Sequence, residues 1–134
     1  MASEKLILVV SQHDGHRALY EIELENAGYS VVTAHSGHSA KTEIERTGAA
    51  GIDLIVMGSR RLVEIELLEK AIVSLGENAP PVIISSSSPH AEQEYHGTPL
   101  EPYIRAYAIK SGNVAPLIEK VRDMIGAPKM QYTQ

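Results

Sequence analysis

A chain of 134 residues with a formal net charge of −5 and no Cys, Phe or Trp suits one domain, which buries roughly two-thirds of its unfolded surface and needs no cross-link. Without thiols it builds neither a disulfide framework nor a thiolate metal site; the acidic balance and missing rings argue against a nucleic-acid partner. No apolar run reaches the ~20 residues of a membrane span, and residues 1–5 are too short and polar for a signal peptide, so the expectation is a cytoplasmic protein with no membrane partner.

The apolar pattern changes period along the chain. "KLILVV" (5–10) is a continuous β-rich run, the pattern of a strand buried on both faces. Asp14 is expected to N-cap a helix whose apolar face carries Leu19, Ile22 and Leu24 and which stops at Gly28. "YSVVTA" (29–34) is a second strand; Ser36 opens a helix with Ala40 and Ile44 that fades in "TGAAG" (47–51). "IDLIVM" (52–57) is a third strand, and "LVEIELLEKAIVSLG" (62–76) is the most regular helix, with Leu67, Leu68, Ala71, Ile72 and Leu75 on one side. "PPVIIS" (80–85) is a fourth strand, "HAEQEYH" (90–96) a weak helical piece, and "YIRAYAI" (103–109) a fifth strand. "VAPLIEKVRDMIG" (114–126) closes the chain as an amphipathic helix with Pro116 in its first turn. The folded unit is expected over 5–126, with flexible tails at 1–4 and 127–134.

Strands alternating with helices imply βαβ units, right-handed crossovers and a parallel sheet covered on both faces. Five units predict a doubly wound α/β fold, flavodoxin-like, with strand order 2-1-3-4-5; ligands in that architecture bind outside the C-terminal strand ends. The residues expected there are Ser11, Gln12, His13, Gly58, Ser59, the serines 85–88, Lys110 and Ser111.

"ILVVSQHDGHR" (7–17), "AGYSVVTAHSGHSA" (27–40), "DLIVMG" (53–58), "PPVIISSSS" (80–88) and "YAIKS" (107–111) stand in an order and spacing that resembles the receiver domain of bacterial two-component response regulators (CheY-like). The first resembles the family's strand run such as VVDDD and the helix after it, with Arg17 keeping the spacing of the helix arginine. The second resembles G-Y-x-V-x-x-A-x-x-G-x-x-A. The others stand where the family has DLVLLD, PVIxLT and YLxKP. The resemblance implies the fold and a place in phosphorelay signal transduction.

In the family, two acidic residues after strand 1 and an acceptor aspartate after strand 3 hold Mg²⁺, a hard cation that takes oxygen ligands. The aspartate takes the phosphoryl group, while a hydroxyl after strand 4 and a lysine after strand 5 neutralise its oxygens. Carried over, the acidic pair falls on Ser11 and Gln12, the acceptor on Gly58, the hydroxyl on Ser86 and the lysine on Lys110. Only the last two match. Gly58 has no carboxylate to phosphorylate, and Ser11 and Gln12 offer neutral oxygens. Asp53 begins strand 3 and is expected at its opposite end. Tyr107 stands where the family often has a rotating aromatic switch, but packing in a half-buried strand is the expectation, since no phosphorylation remains to drive a switch. The family's M-P-x-M-D-G loop is replaced by "SRRLVEIE" (59–66). "HGTPLEPY" (96–103) forbids a regular helix 4, remodelling a surface that receiver partners read.

The resemblance therefore implies a degenerate, or pseudo-, receiver: not an enzyme and without a cofactor, a phosphorylation-independent interaction module whose partner is a kinase, a regulator or a second copy. An alternative is a small anion or nucleotide sensor using Lys110, Ser86 and Arg60 at the strand ends. His13, His16, His35 and His38, with Asp14 beside them, can be read as a metal cluster, as a pH sensor or as exposed loop histidines.

Overall fold

The computed structural model describes residues 5–48, 51–58, 60–109 and 113–128. Ser59, Lys110 and Ser111 lie outside them. Strands β1 (Leu6–Val10), β2 (Ser30–Ala34), β3 (Leu54–Met57), β4 (Val82–Ser86) and β5 (Ile104–Ile109) form one sheet in the order β2-β1-β3-β4-β5. All four strand pairings are parallel. Helices α1 (Asp14–Asn26), α2 (Gly37–Thr47), α3 (Ile65–Leu75), α4 (Ala91–Tyr95) and α5 (Ala115–Ile125) make the crossovers and the closing layer. This is the flavodoxin-like fold expected from the sequence.

Side chains alternate across a strand, so the apolar runs divide between two cores. Leu8, Val10, Ile55, Met57, Val82 and Ile84 meet Ala40 and Ile44 of α2, Leu68 and Ile72 of α3 and Tyr95 of α4. Ile7, Val9, Leu54, Val56 and Ile83 meet Tyr20 and Leu24 of α1 and Leu117 and Val121 of α5. In register, Val10 stands beside both Ala34 and Met57, so β1, β2 and β3 end at one level.

The helix starts differ from expectation at two places. The N-cap of α1 is His13, whose Nδ1 accepts the N–H of His16 at 3.3 Å; Asp14 is the first helical residue and its carboxylate pairs with Arg17 at 2.6 Å. The reason is local: Ser11 Oγ accepts the His13 N–H at 3.1 Å, which turns the chain one residue before Asp14. Helix α2 starts at Ser36 as expected, with a reciprocal cap between Ser36 and Ser39.

Helix α3 begins at Ile65 rather than at residue 62, because Glu64 has φ 59° and ψ 34°, the left-handed region. The replaced loop carries no glycine, so a glutamate takes that conformation, at roughly 1–2 kcal/mol. Two contacts hold it there. The Gly37 N–H donates to Val63 O at 2.7 Å, and the Val63 N–H donates to Gln12 Oε1 at 3.0 Å. Gly37 is jammed against the same turn: a Cβ on it would lie 1.6 Å from Glu64 O.

Helix α4 is five residues long and gives way at Gly97 (φ 78°) to an irregular segment ending in a 3₁₀ turn at Glu101–Tyr103. Leu100, within that segment, is fully buried. Pro128, expected in a loose tail, is buried, and Gly28 (φ 106°) leaves no room for a side chain beside it.

Gly37→Ala is expected to lower stability by about 2 kcal/mol or more, since a backbone carbonyl cannot yield as a flexible side chain would. Glu64→Gly should raise it by up to about 1 kcal/mol, the relieved strain being partly offset by a freer unfolded chain. Urea unfolding of both variants checks the pair.

Candidate functional site at the strand ends

The C-terminal ends of β1, β3 and β4 surround a cavity of about 540 Å³, lined among others by Ser11, Gln12, His13, Gly58, Arg61, the serines 86–88 and Glu94. Of the five residues carried over as the receiver pocket, Ser11, Gln12, Gly58 and Ser86 meet here; Lys110 is outside the described residues.

Several of their polar atoms are engaged by the protein. Ser11 Oγ accepts the His13 N–H, and Ser11 O accepts from Arg17 at 2.7 Å. Gln12 Oε1 accepts the Val63 N–H across the cavity rim. Ser86 Oγ accepts the Ser88 N–H at 3.1 Å, and Ser88 Oγ the His90 N–H at 3.0 Å, the self-bonding of a loop leaving a strand. Ser85 faces the other core, where its hydroxyl lies 2.6 Å from Tyr20 OH; burial raises the Tyr20 pKa, and the Ser85 bond partly opposes this. Asp53 sits at the far end of β3, accepting the Leu6 N–H at 2.8 Å.

Mg²⁺ does not fit this donor set. Gly58 brings no side-chain ligand, Ser11 and Gln12 are neutral and bonded to backbone amides, and among the described residues lining the cavity Glu94 is the only carboxylate. His13 and His16 stack with ring centroids 4.0 Å apart, and among the described residues no three His, Asp or Glu side chains are grouped to hold an ion. Of the four histidines read as a cluster, His13 caps its own helix through Nδ1, and His35 and His38 are exposed on either side of the Ser36 cap.

Arg60, expected to face an anion, is committed elsewhere. Its Nη2 lies 2.8 Å from Oε2 of the buried Glu69, and its guanidinium stands 6.0 Å from the centre of the Tyr95 ring. The neighbouring Arg61 lines the cavity instead. Tyr107 is partly buried and packs at the margin of the α2–α3–α4 core. Its pKa is raised by that burial first, then by Glu92 and Glu101.

Two residues that sequence reasoning missed bear on the site. Tyr95 is fully buried, and its hydroxyl donates to the backbone carbonyl of Gly58 at 2.6 Å. Glu69 lies in the buried stripe of Ile65, Leu68 and Ile72. A carboxylate on an apolar stripe demands a buried cation, a signal that was readable in the helical periodicity.

Glu101 braces the segment after α4: Oε1 accepts the Gly97 N–H at 2.9 Å, and Oε2 lies 3.1 Å from His96 Nδ1. The Gly97 bond first, then the His96 bond, holds the Glu101 carboxyl below the usual carboxylate range.

No family model and no curated protein sequence matches the chain. Solved structures do. A CheY-like response regulator receiver domain from Methanospirillum hungatei JF-1 is 25% identical with a TM-score of 0.72, covering 92% of this chain and 94% of that one. The Vibrio cholerae chemotaxis protein CheY4 is 19% identical at a TM-score of 0.73, over 91% and 99% of the two chains. The receiver domain of a Pseudomonas aeruginosa PAO1 sensor histidine kinase, with magnesium coordinated in its active-site cleft, is 23% identical at 0.73, over 93% and 100%. The protein has the receiver-domain fold of two-component signalling.

A carboxyl whose folded pKa is depressed adds stability above its unfolded pKa and loses it as pH falls through the folded value. The Gly97 amide resonance is therefore expected to titrate with a midpoint below that of an ordinary glutamate. Glu101→Gln should abolish that step, as read by amide NMR from pH 2 to pH 7.

Proposed function

We propose that this protein is a pseudo-receiver, a phosphorylation-independent protein-interaction module of bacterial two-component-type signalling. Its partner is a kinase, a regulator or a second copy of the chain. One observation carries the reading: the residue that follows β3, Gly58, has no side chain, and Ser11 and Gln12, which line the same cavity, tie their oxygens to backbone amides. An acyl phosphate needs a carboxylate, and Mg²⁺ bound in so small a site needs anionic oxygens. With no cluster of acids there is no repulsion for a cation to offset, so the site holds together unaided. The remodelled segment 96–103 supplies partner specificity, and Tyr107 serves as packing rather than as a switch.

A second reading, a small anion or nucleotide sensor, draws on the cavity itself, with Arg61 and the serines 86–88 on its wall. Lys110 and Ser86 would be its contacts, with Arg61 in the part first given to Arg60. A sensor's melting temperature rises with its ligand by mass action, whereas that of a pure interaction module does not respond.

Amide NMR spectra are expected to stay flat at Ser11, Gln12, Gly58 and Ser86 on adding Mg²⁺ and then beryllofluoride. Saturable shifts clustered there would overturn the module reading. A melting temperature that climbs with phosphate or a nucleotide would favour the sensor.

A further inference from the structure

We propose that Tyr95, Arg60 and Glu69 form a fixed clasp that holds α4, and with it the segment 96–103, to the floor of the strand-end cavity. Helix α4 has five residues and no side-chain cap, too few to persist by backbone hydrogen bonding alone. Its place depends on what it buries, which is Ala91 and Tyr95.

Tyr95 does more than fill space. Its hydroxyl donates to Gly58 O, and Gly58 is the residue that follows β3 and lines the cavity. The Tyr95 ring carries the Arg60 guanidinium at 6.0 Å, and Arg60 reaches Glu69 on α3 at 2.8 Å. The clasp thus joins α4, the β3–α3 loop and α3. Glu69 is 5% exposed, so its charge has to be matched from inside the protein. Arg60 Nε is buried with no hydrogen-bond partner among the described residues, so the guanidinium is held by the carboxylate and the ring. A buried tyrosine whose one polar atom is satisfied by one carbonyl cannot slide without leaving both groups unpaired. The contact reaches position 58 through its backbone, which every residue has, and asks nothing of a side chain there.

The inference deepens the module reading, since it names what keeps the partner-facing surface in one place, but it is tested on the free chain. Tyr95→Phe keeps the ring and removes the hydroxyl. Hydrogen exchange of the His96 and Thr98 amides, and of the loop amides from 60 to 65, should then accelerate together by roughly three- to tenfold, with α1 and α5 unchanged. Glu69→Gln, which keeps volume and an acceptor, should loosen the same two groups and serves as the entry point if Tyr95→Phe does not fold; the double variant should exchange more slowly than the product of the two single-variant accelerations. Exchange within twofold of the parent in the variants that fold, acceleration of one group without the other, or fully additive effects would overturn the clasp. If exchange is unchanged while beryllofluoride spectra stay flat, the clasp fails and the module reading stands. If exchange is coupled while those spectra shift, the module reading fails and the clasp stands.

Discussion

A parallel sheet must be covered on both faces, because its strands carry apolar side chains in both directions. Here that constraint divides every central strand between two cores, α2, α3 and α4 on one side and α1 and α5 on the other. It also decides where the protein has chemical freedom. With both faces buried, the loops leaving the C-terminal strand ends are what the sheet offers to solvent, and β1, β3 and β4 bring theirs to one cavity. The scaffold stands whatever residues line that cavity, which is why a receiver fold can persist where the acid set of receivers does not.

The loops around the cavity are held by a short chain of backbone contacts. Gln12 takes the Val63 amide, Gly37 takes the Val63 carbonyl, and the turn between them forces Glu64 into the left-handed region. The side chain that stands where the family places a metal-facing acid thus acts as a tether. Tyr95 in turn donates to the carbonyl of Gly58, another residue lining the cavity. These bonds join neutral groups and persist over a wide pH range. A site that depended on clustered carboxylates would change with pH and with metal supply.

Only part of the charge distribution was readable. The helical stripe Ile65, Leu68, Ile72 includes Glu69 by period, and a buried carboxylate requires a cation. Which of Arg60 and Arg61 answers it is settled by the direction of a loop whose left-handed residue is Glu64, a position that no propensity favours for glutamate. The histidines show the same limit. Their i, i+3 spacing suggests shared ligation, yet Nδ1 of His13 caps its own helix because Ser11 turns the chain one residue early.

The sequence carried the five β–α units, both apolar faces and the missing carboxylate at position 58 through periodicity and residue identity, and the strand order through the match of five such units to the flavodoxin-like fold. It also located the break after α4, since Gly97, Pro99 and Pro102 act through local backbone sterics. Tertiary structure alone decided that Gln12 is a loop tether, that Arg60 belongs to Glu69 and that Tyr95 reaches the carbonyl of Gly58. Those pairings span 51, 9 and 37 residues of chain. A hydrogen bond between residues so placed depends on angles and distances that exist only once the sheet has set the loops side by side.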